Sequence, residues 1–521
     1  MHESEIFINQ IGYRPRDNKI AFVSQKAKGK AESFSVFDSV KNKEVFSGLF
    51  QKAPDDKLAG GTYYLADFSD LNICGEFFVL VNCEKSFSFK ISERIYDEIQ
   101  SLALNYFTQA RCGQGVCHTG LAEIYGTSAK KNVQGGWHDA GDYGRYVVAG
   151  TKAIMDLLLA YKKAPAAFGD FDLLGEVRFE LEWLLEMQRE DGAVYHKISC
   201  YHFCDFIMPQ EEKDRLVIAP VSTAATADFA GCLAYAANFY KKSDCVFAKT
   251  LLDAAIKAQN YLFSHDDDFY INPPEITTGG YGDRDVCDER YFALCSLFCA
   301  TKDENYLLKA MKIRSEKKNS APDLDFPWNS GWREVFSWAF VTGYGTEILL
   351  ENENLLSAEI LAEIQSGIIT QAEDILCVCN ESAFKYSSKT VFWGSNGAIC
   401  DLAHVLLMAY DFTGRKAFFD AAKNQLDYIL GCNPLNFCFL TGVGTKSPKN
   451  PHHRPSGASG RVYKGMLAGG ACSTMDDEYA KEHFSGIAPL KCYADVQPSY
   501  STNEVAIYWN SAFVYLLSRI I

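Results

Sequence analysis

Two short segments hold the residues best suited to acid–base chemistry. Residues 135–146, GGWHDAGDYGRY, set Asp139 and Asp142 three positions apart among glycines, a tryptophan and two tyrosines. Residues 493–511, YADVQPSYSTNEVAIYWNS, hold Glu504 among aromatic and amide side chains. Cleaving an acetal takes a carboxylic acid to protonate the leaving oxygen and a carboxylate to activate water or to attack. Two carboxylates three residues apart, if close in space, raise one pKa and can hold a water between them. The competing reading of this DxxD is a solvated loop or a helix N-terminus. Against it stand Trp137, Tyr143 and four glycines (Gly135, Gly136, Gly141, Gly144), which permit tight turns beside the acids. For Glu504 the competing role is dipole compensation in the first turn of the last helix, behind an Asn503 cap. A catalytic acid needs its pKa raised, and Tyr500, Tyr508 and Trp509 would desolvate it.

Three further groups could bind substrate or metal. In PHHRPS (451–456) two histidines and Arg454 sit on a proline-fixed loop, able to bond hydroxyls or orient a carboxylate. A phosphate site is disfavoured, since no Gly-rich loop ending in Lys-Ser/Thr is present. Cys112, Cys117, His118 and His138 would close a tetrahedral, structural zinc shell. By spacing alone, free thiols compete with that reading. In GGYGDRDVCDE (279–289), Asp283, Asp285, Asp288 and Glu289 are hard oxygen donors suited to calcium. A solvated acidic loop before a helix is the alternative. No Ser-His-Asp or Cys-His signature is present, and no GxGxxG follows a strand.

These residues need a large scaffold. At 521 residues the chain is too long for one ordinary core, so two domains are expected. Residues 5–91 read as about seven short strands, with Phe34, Val36, Phe87, Phe89 and Ile91 alternating with polar neighbours. That pattern predicts an immunoglobulin-like sandwich over 1–91, with no catalytic constellation inside it. From 92 to 521 the period becomes helical, as in Ile95, Ile99, Leu102 and Tyr106. About twelve helices are expected, with almost no strands between them, the last over 504–520. Two concentric rings would accommodate them, and loops 264–285, 314–333 and 433–502 would line one mouth.

The 51 basic and 66 acidic residues leave a net charge of −15, which argues against nucleic-acid or anionic-membrane partners. Aromatics reach 14 %, ordinary for cores but also suited to stacking on sugar faces. The 18 cysteines are scattered, and the N-terminus lacks a basic and an apolar leader region. Reduced, mostly buried thiols and a cytoplasmic location are therefore expected.

The segments above, with INQIGYRP (8–15), QARCG (109–113), LLEMQREDGAVYHK (184–197), STAATADFAG (222–231), FWGSN (392–396) and LDYILGCNP (426–434), follow one order. In them the chain resembles glycoside hydrolase family 9, in its subgroup with an N-terminal immunoglobulin-like domain. The resemblance implies an (α/α)6 barrel and inverting hydrolysis of β-1,4-linked glucans. It makes Asp142 the general base, Asp139 its helper in holding water, and Glu504 the general acid supported by Asp495. It places His452 and Arg454 on the sugar near the cleavage point, with Trp393 at a sugar subsite; Tyr500 is a further candidate for binding substrate. It also implies zinc on Cys112, Cys117, His118 and His138. Calcium is implied near Asp288 and Glu289, with Asp283, although this loop departs from the family's Ser-Gly-Tyr-x-Asp-Glu form. The base and acid carboxyls should lie about 6.5–9.5 Å apart. An endoglucanase or cellodextrinase is the first expectation, and an exo-acting β-glucosidase or exo-β-D-glucosaminidase the second. A silent glucan-binding protein or a polysaccharide lyase would be the alternatives of another class.

Overall fold

The computed structural model describes residues 4–113, 120–318 and 332–521. By contacts the chain divides into two compact units. One joins Met1–Tyr106 and Ala166–Gly169 to Ala372–Ile521, and the other comprises Phe107–Pro165 and Asp170–Gln371.

In the first unit, the alternation read from the sequence produces ten short strands. They are β1 (Ile6–Phe7), β2 (Gly12–Tyr13), β3 (Ile20–Ser24), β4 (Ser33–Asp38), β5 (Lys43–Leu49), β6 (Gln51–Lys52), β7 (Tyr63–Asp67), β8 (Gly75–Val81), β9 (Glu84–Lys85) and β10 (Phe89–Ile91). Two sheets result, β1-β3-β7-β6 and β2-β10-β8-β4-β5, with β9 paired to β8. Their inward residues, among them Tyr13, Phe34, Val36, Phe68, Phe77 and Phe89, form one core. Burying each large side chain contributes about 1.5–3 kcal/mol.

The same unit ties this sandwich to the C-terminal helices through the INQIGYRP motif. Asn9 Nδ2 donates to Asp427 Oδ1 (2.8 Å), and Gln10 Nε2 donates to the Asn436 carbonyl (2.9 Å). Gln10 Oε1 in turn accepts the Thr445 and Lys446 amides (2.8 and 2.9 Å). Helices Ser395–Thr413, Lys416–Ile429 and Ile507–Ile520 belong to this unit.

The second unit holds helices Val147–Lys163, Leu173–Glu186, Thr223–Tyr240, Cys245–Ser264, Cys287–Thr301, Glu304–Lys318 and Thr342–Leu350. Thr223–Tyr240 is apolar nearly all round and is covered on nearly every side. Ser222 caps it, accepting the Ala225 amide at 3.1 Å.

The structure corrects three expectations here. The region after residue 92 does contain a sheet: β11 (Gly120–Ile124), β12 (Lys130–Val133), β13 (Arg145–Tyr146), β14 (Lys197–Cys200) and β15 (Leu216–Ile218), in the order β12-β11-β15-β14-β13. Strands of two to five residues are too short to set up a readable alternation. The last helix begins at Ile507 and not at 504. Of the 314–333 loop, residues 314–318 belong to a helix, and 319–331 lie outside the described residues. Among the described residues no helix is long and apolar enough to cross a membrane. Most of the described cysteines are buried.

Candidate active site

Asp139 and Asp142 lie in the second unit, on the loop that feeds β13. Gly135 and Gly136 open that loop with φ of +73° and +83°. A Cβ on Gly136 would stand 2.7 Å from the Trp183 ring, so both turn and packing demand glycine there. Gly144 serves close approach instead, since a Cβ would lie 2.5 Å from the Tyr146 hydroxyl.

Two glutamates of helix Leu173–Glu186 grip the loop. Glu180 accepts the Trp137 amide (2.5 Å), and Glu176 accepts Trp137 Nε1 (2.9 Å), Arg111 Nε (2.8 Å) and Thr108 Oγ1 (2.6 Å). Sequence reasoning missed both. Four residues apart on a helix, they resemble a solvated face, yet both are buried.

Asp139 is fully buried. Its Oδ2 accepts the Tyr281 hydroxyl (2.5 Å), and its Oδ1 has no hydrogen-bond partner. Burial first, and the Asp142 charge second, hold its pKa well above the usual carboxylate range, while the Tyr281 bond pulls the other way. Asp142 Oδ2 accepts the Gly144 amide (3.0 Å) and the Tyr146 hydroxyl (3.3 Å), whereas Oδ1 takes neither donor. One oxygen is thereby oriented and the other is left to accept a proton. Tyr281 packs against Tyr146 (4.6 Å between centroids) and edge-on to Trp338 (4.8 Å), forming an aromatic wall beside the two acids. That wall could not be read from sequence, because its members lie up to 192 positions apart in the chain.

Glu504 lies in the first unit and is not in a helix. It follows the short helix Tyr500–Asn503 with extended backbone (φ −71°, ψ 161°). Neighbouring segments pin it: the His452 amide donates to the Asn503 carbonyl (2.9 Å), and the Gly469 amide donates to the Glu504 carbonyl (2.8 Å). The expected first-turn placement is thus corrected, and dipole compensation with it. The NEVAIYW run suits helical periodicity, but pairing of His452 with Glu504 and of Ala468 with Val505 draws it out.

Asp495 accepts the amides of Lys449 (2.8 Å) and Asn450 (2.8 Å) and the side chain of Asn503 (3.2 Å). It therefore reaches Glu504 through the buried neighbour Asn503, whose carbonyl oxygen takes the His452 amide. His452 Nδ1 donates to the Gln497 carbonyl at 2.7 Å, which fixes the proton on that nitrogen. Arg454 is buried at the start of helix Arg454–Ser459. Trp393 is 40 % exposed with its ring 5.2 Å from that of Tyr500, a surface suited to stacking on an apolar sugar face.

The metal candidates fall in the second unit. Cys112 and His138 lie on paired segments joined by the Arg111–Trp137 bridge, where the Cys112 amide donates to Gly136 (2.8 Å) and the His138 amide to Ala110 (2.7 Å). The antiparallel register turns both side chains to the face opposite Arg111 and Trp137. Cys117 and His118 lie outside the described residues.

Asp283, Asp288 and Glu289 are joined by Asp228, an acid that sequence reasoning passed over in the STAATADFAG helix. Burial raises all four pKa values, to about 6 for Asp283 and about 7 for Asp288, and mutual repulsion adds to the rise in Asp228, Asp288 and Glu289. Both oxygens of Asp228 and of Glu289, and Oδ2 of Asp283, are buried without a hydrogen-bond partner. Asp285 stands apart, bonded to Lys317 and to the Cys287 amide. Among the described residues no three such side chains form a ready-made metal shell. The chemistry of the set nevertheless fits a hard dication: buried carboxylates lacking donors need a cation or protons.

The family model for glycosyl hydrolase family 9 matches residues 96–517, and that for the cellulase N-terminal ig-like domain matches residues 1–86. A cellodextrinase of Butyrivibrio fibrisolvens is 32 % identical over 555 residues, covering 99 % of this chain and 100 % of its own length. Endoglucanase D of Acetivibrio thermocellus is 29 % identical over 552 residues, covering 99 % of this chain and 83 % of its own. Among solved structures, a thermostable endoglucanase of Alicyclobacillus acidocaldarius superposes with a TM-score of 0.91 at 31 % identity, over 99 % of both chains. The chain belongs to glycosyl hydrolase family 9. It is an O-glycosyl hydrolase, mainly α, with an (α/α)6-barrel catalytic region preceded by an immunoglobulin-like sandwich.

Proposed function

We propose that the protein hydrolyses β-1,4-glucosidic bonds of soluble glucans or cellodextrins with inversion, as an endoglucanase or cellodextrinase. In a single displacement, Glu504 protonates the glycosidic oxygen as that bond breaks. Asp142 takes a proton from the water that attacks the anomeric carbon, and Asp139 helps to hold that water. The observation carrying this reading is the asymmetry of Asp142: both of its donors, the Gly144 amide and the Tyr146 hydroxyl, go to Oδ2 and neither to Oδ1, beside a buried second carboxyl. The names borne by the relatives, cellodextrinase and endoglucanase, support the substrate class. His452, Arg454, Trp393 and Tyr500 would bind sugar, and Asp495 would hold the segments that carry His452 and Glu504.

Cys112 and His138, with Cys117 and His118, would hold a structural zinc that pins the start of the DAGD segment. Asp228, Asp283, Asp288 and Glu289 would hold calcium, which neutralises their mutual repulsion.

Hydrolysis of cellopentaose, followed by anomer-resolved NMR and product chromatography, tests the proposal. The α-anomer should form first, and Glu504→Gln and Asp142→Asn should each remove nearly all turnover while preserving the fold. A product of retained configuration, or wild-type rates in either variant, would overturn it.

A further inference from the structure

Asp477 is fully buried in the first unit, and among the described residues no cation is bonded to it. A carboxylate so placed is costly unless donors surround it. Its two oxygens divide their donors by segment. Oδ1 accepts the Ala480 amide (2.6 Å) and so caps helix Glu478–His483. Oδ2 accepts donors from residues 22 to 24 positions further on: the Ser501 amide (2.9 Å), Ser501 Oγ (2.5 Å) and Ser499 Oγ (3.4 Å). Capping alone would use one oxygen.

Ser499 and Ser501 are themselves buried, and they open the short helix Tyr500–Asn503 that delivers Glu504. Ser499 stands in the cap position but makes no side-chain cap bond, so the Ser501 amide takes Asp477 instead. The loop carrying Asp477 also touches the residue between the two serines: the Tyr500 hydroxyl donates to the Asp476 carbonyl (3.0 Å). At the far end of the turn, the carbonyls of Thr502, Asn503 and Glu504 accept the amides of Gly470, His452 and Gly469 (2.9, 2.9 and 2.8 Å). Those bonds hold the exit of the turn, and Asp477 holds its entrance.

We propose that Asp477 is a positioning residue for the general acid. By gripping the entrance of the Tyr500–Asn503 turn, it fixes where the Glu504 carboxyl meets the glycosidic oxygen. The inference rests on Glu504 being the acid. A misplacement of about 1 Å at a reacting group can cost about 10²-fold, so this grip acts on rate more than on binding.

Asp477→Asn separates positioning from capping. Asn caps a helix as well as Asp does, but its Nδ2 cannot accept the Ser501 amide. The measurement is kcat/KM on cellopentaose and on 2,4-dinitrophenyl β-cellobioside. The first expels a sugar hydroxyl that must be protonated, and the second a phenolate that leaves without a proton. Asp477→Asn should lower the cellopentaose rate about tenfold, through kcat, and leave the aryl glycoside within about twofold. A folding defect would lower both alike. Equal losses, or an unchanged cellopentaose rate, in folded Asp477→Asn overturns the proposal. If Asp477→Asn does not fold, Ser501→Ala decides the matter, since it removes one donor and keeps the backbone amide. It should show the same split at about threefold, and its absence overturns the proposal. Glu504→Gln is the control, and its loss should fall mainly on cellopentaose. Without that split the acid assignment itself falls, and the proposal with it.

Discussion

The second unit crowds carboxylates together twice, and the two crowds are built differently. Around Asp139 and Asp142, donors are dealt out one by one: the Tyr281 and Tyr146 hydroxyls and the Gly144 amide. Around Asp228, Asp283, Asp288 and Glu289 donors are scarce. Asp288 Oδ2 takes the Val341 amide at 2.8 Å, while five oxygens of the other three acids have no partner. Selective donors leave one oxygen free for a reacting proton. A general lack of donors leaves a cage that only protons or a cation can neutralise. The first arrangement suits chemistry and the second suits a structural ion.

The sharpest way to break this contrast is to exchange the outcomes of equivalent substitutions. Asp142→Asn should lower turnover about 10³-fold or more, read as initial rates on cellodextrins, with little change in melting temperature. Asp228→Asn should instead leave the catalytic rate within a few-fold and abolish the response of the melting temperature to calcium. Next in size is the metal effect. With calcium at about 100 times its dissociation constant, the ion should contribute about 2.7 kcal/mol, lost on chelation and regained on readdition, as measured by urea unfolding. No response to chelator would erase the distinction between the two clusters.

A third prediction concerns histidines, whose sign is opposite to that of the buried acids. His196 and His453 are held near 3 by burial, against about 6.5 in an unfolded chain. As pH falls below 6.5, the unfolded chain binds protons that the folded chain refuses. The stability each neutral ring contributes is complete above pH 6.5 and is lost between 6.5 and 3, at about 1.4 kcal/mol per pH unit. Urea midpoints at pH 7 and pH 5 should therefore differ less in His453→Gln than in wild type. The smallest effect is expected at Trp393→Ala, which should raise KM about three- to tenfold while kcat stays nearly constant, consistent with a lost stacking surface worth about 0.5–1.5 kcal/mol. A fall in kcat alone would move Trp393 away from ground-state binding.

Much of this was legible in the chain itself, for reasons particular residues make plain. Long elements such as Ser395–Thr413 and Cys245–Ser264 announce themselves by period and caps. Asp139, Asp142 and Glu504 stand out because glycines and rings around an acid are an unusual environment. The short β13–β14 pair did not show, since two residues make no pattern, and with it went the meeting of Tyr146 and Lys197. Asp228 was hidden inside an alanine-rich helix, where only the neighbours brought by folding reveal its purpose. The sequence puts the start of the last helix a turn too early because NEVAIYW satisfies helical spacing, while the pull of residues 452 and 468 is nonlocal.

Asn9 and Gln10 carry a last consequence. Their side chains satisfy Asp427, Asn436 and the amides of residues 445 and 446. Excising the leading strands would leave those groups facing solvent or one another without their donors and acceptors. The N-terminal module is therefore no detachable accessory, and a graft onto another catalytic body would succeed only if that body offered the same set of mates.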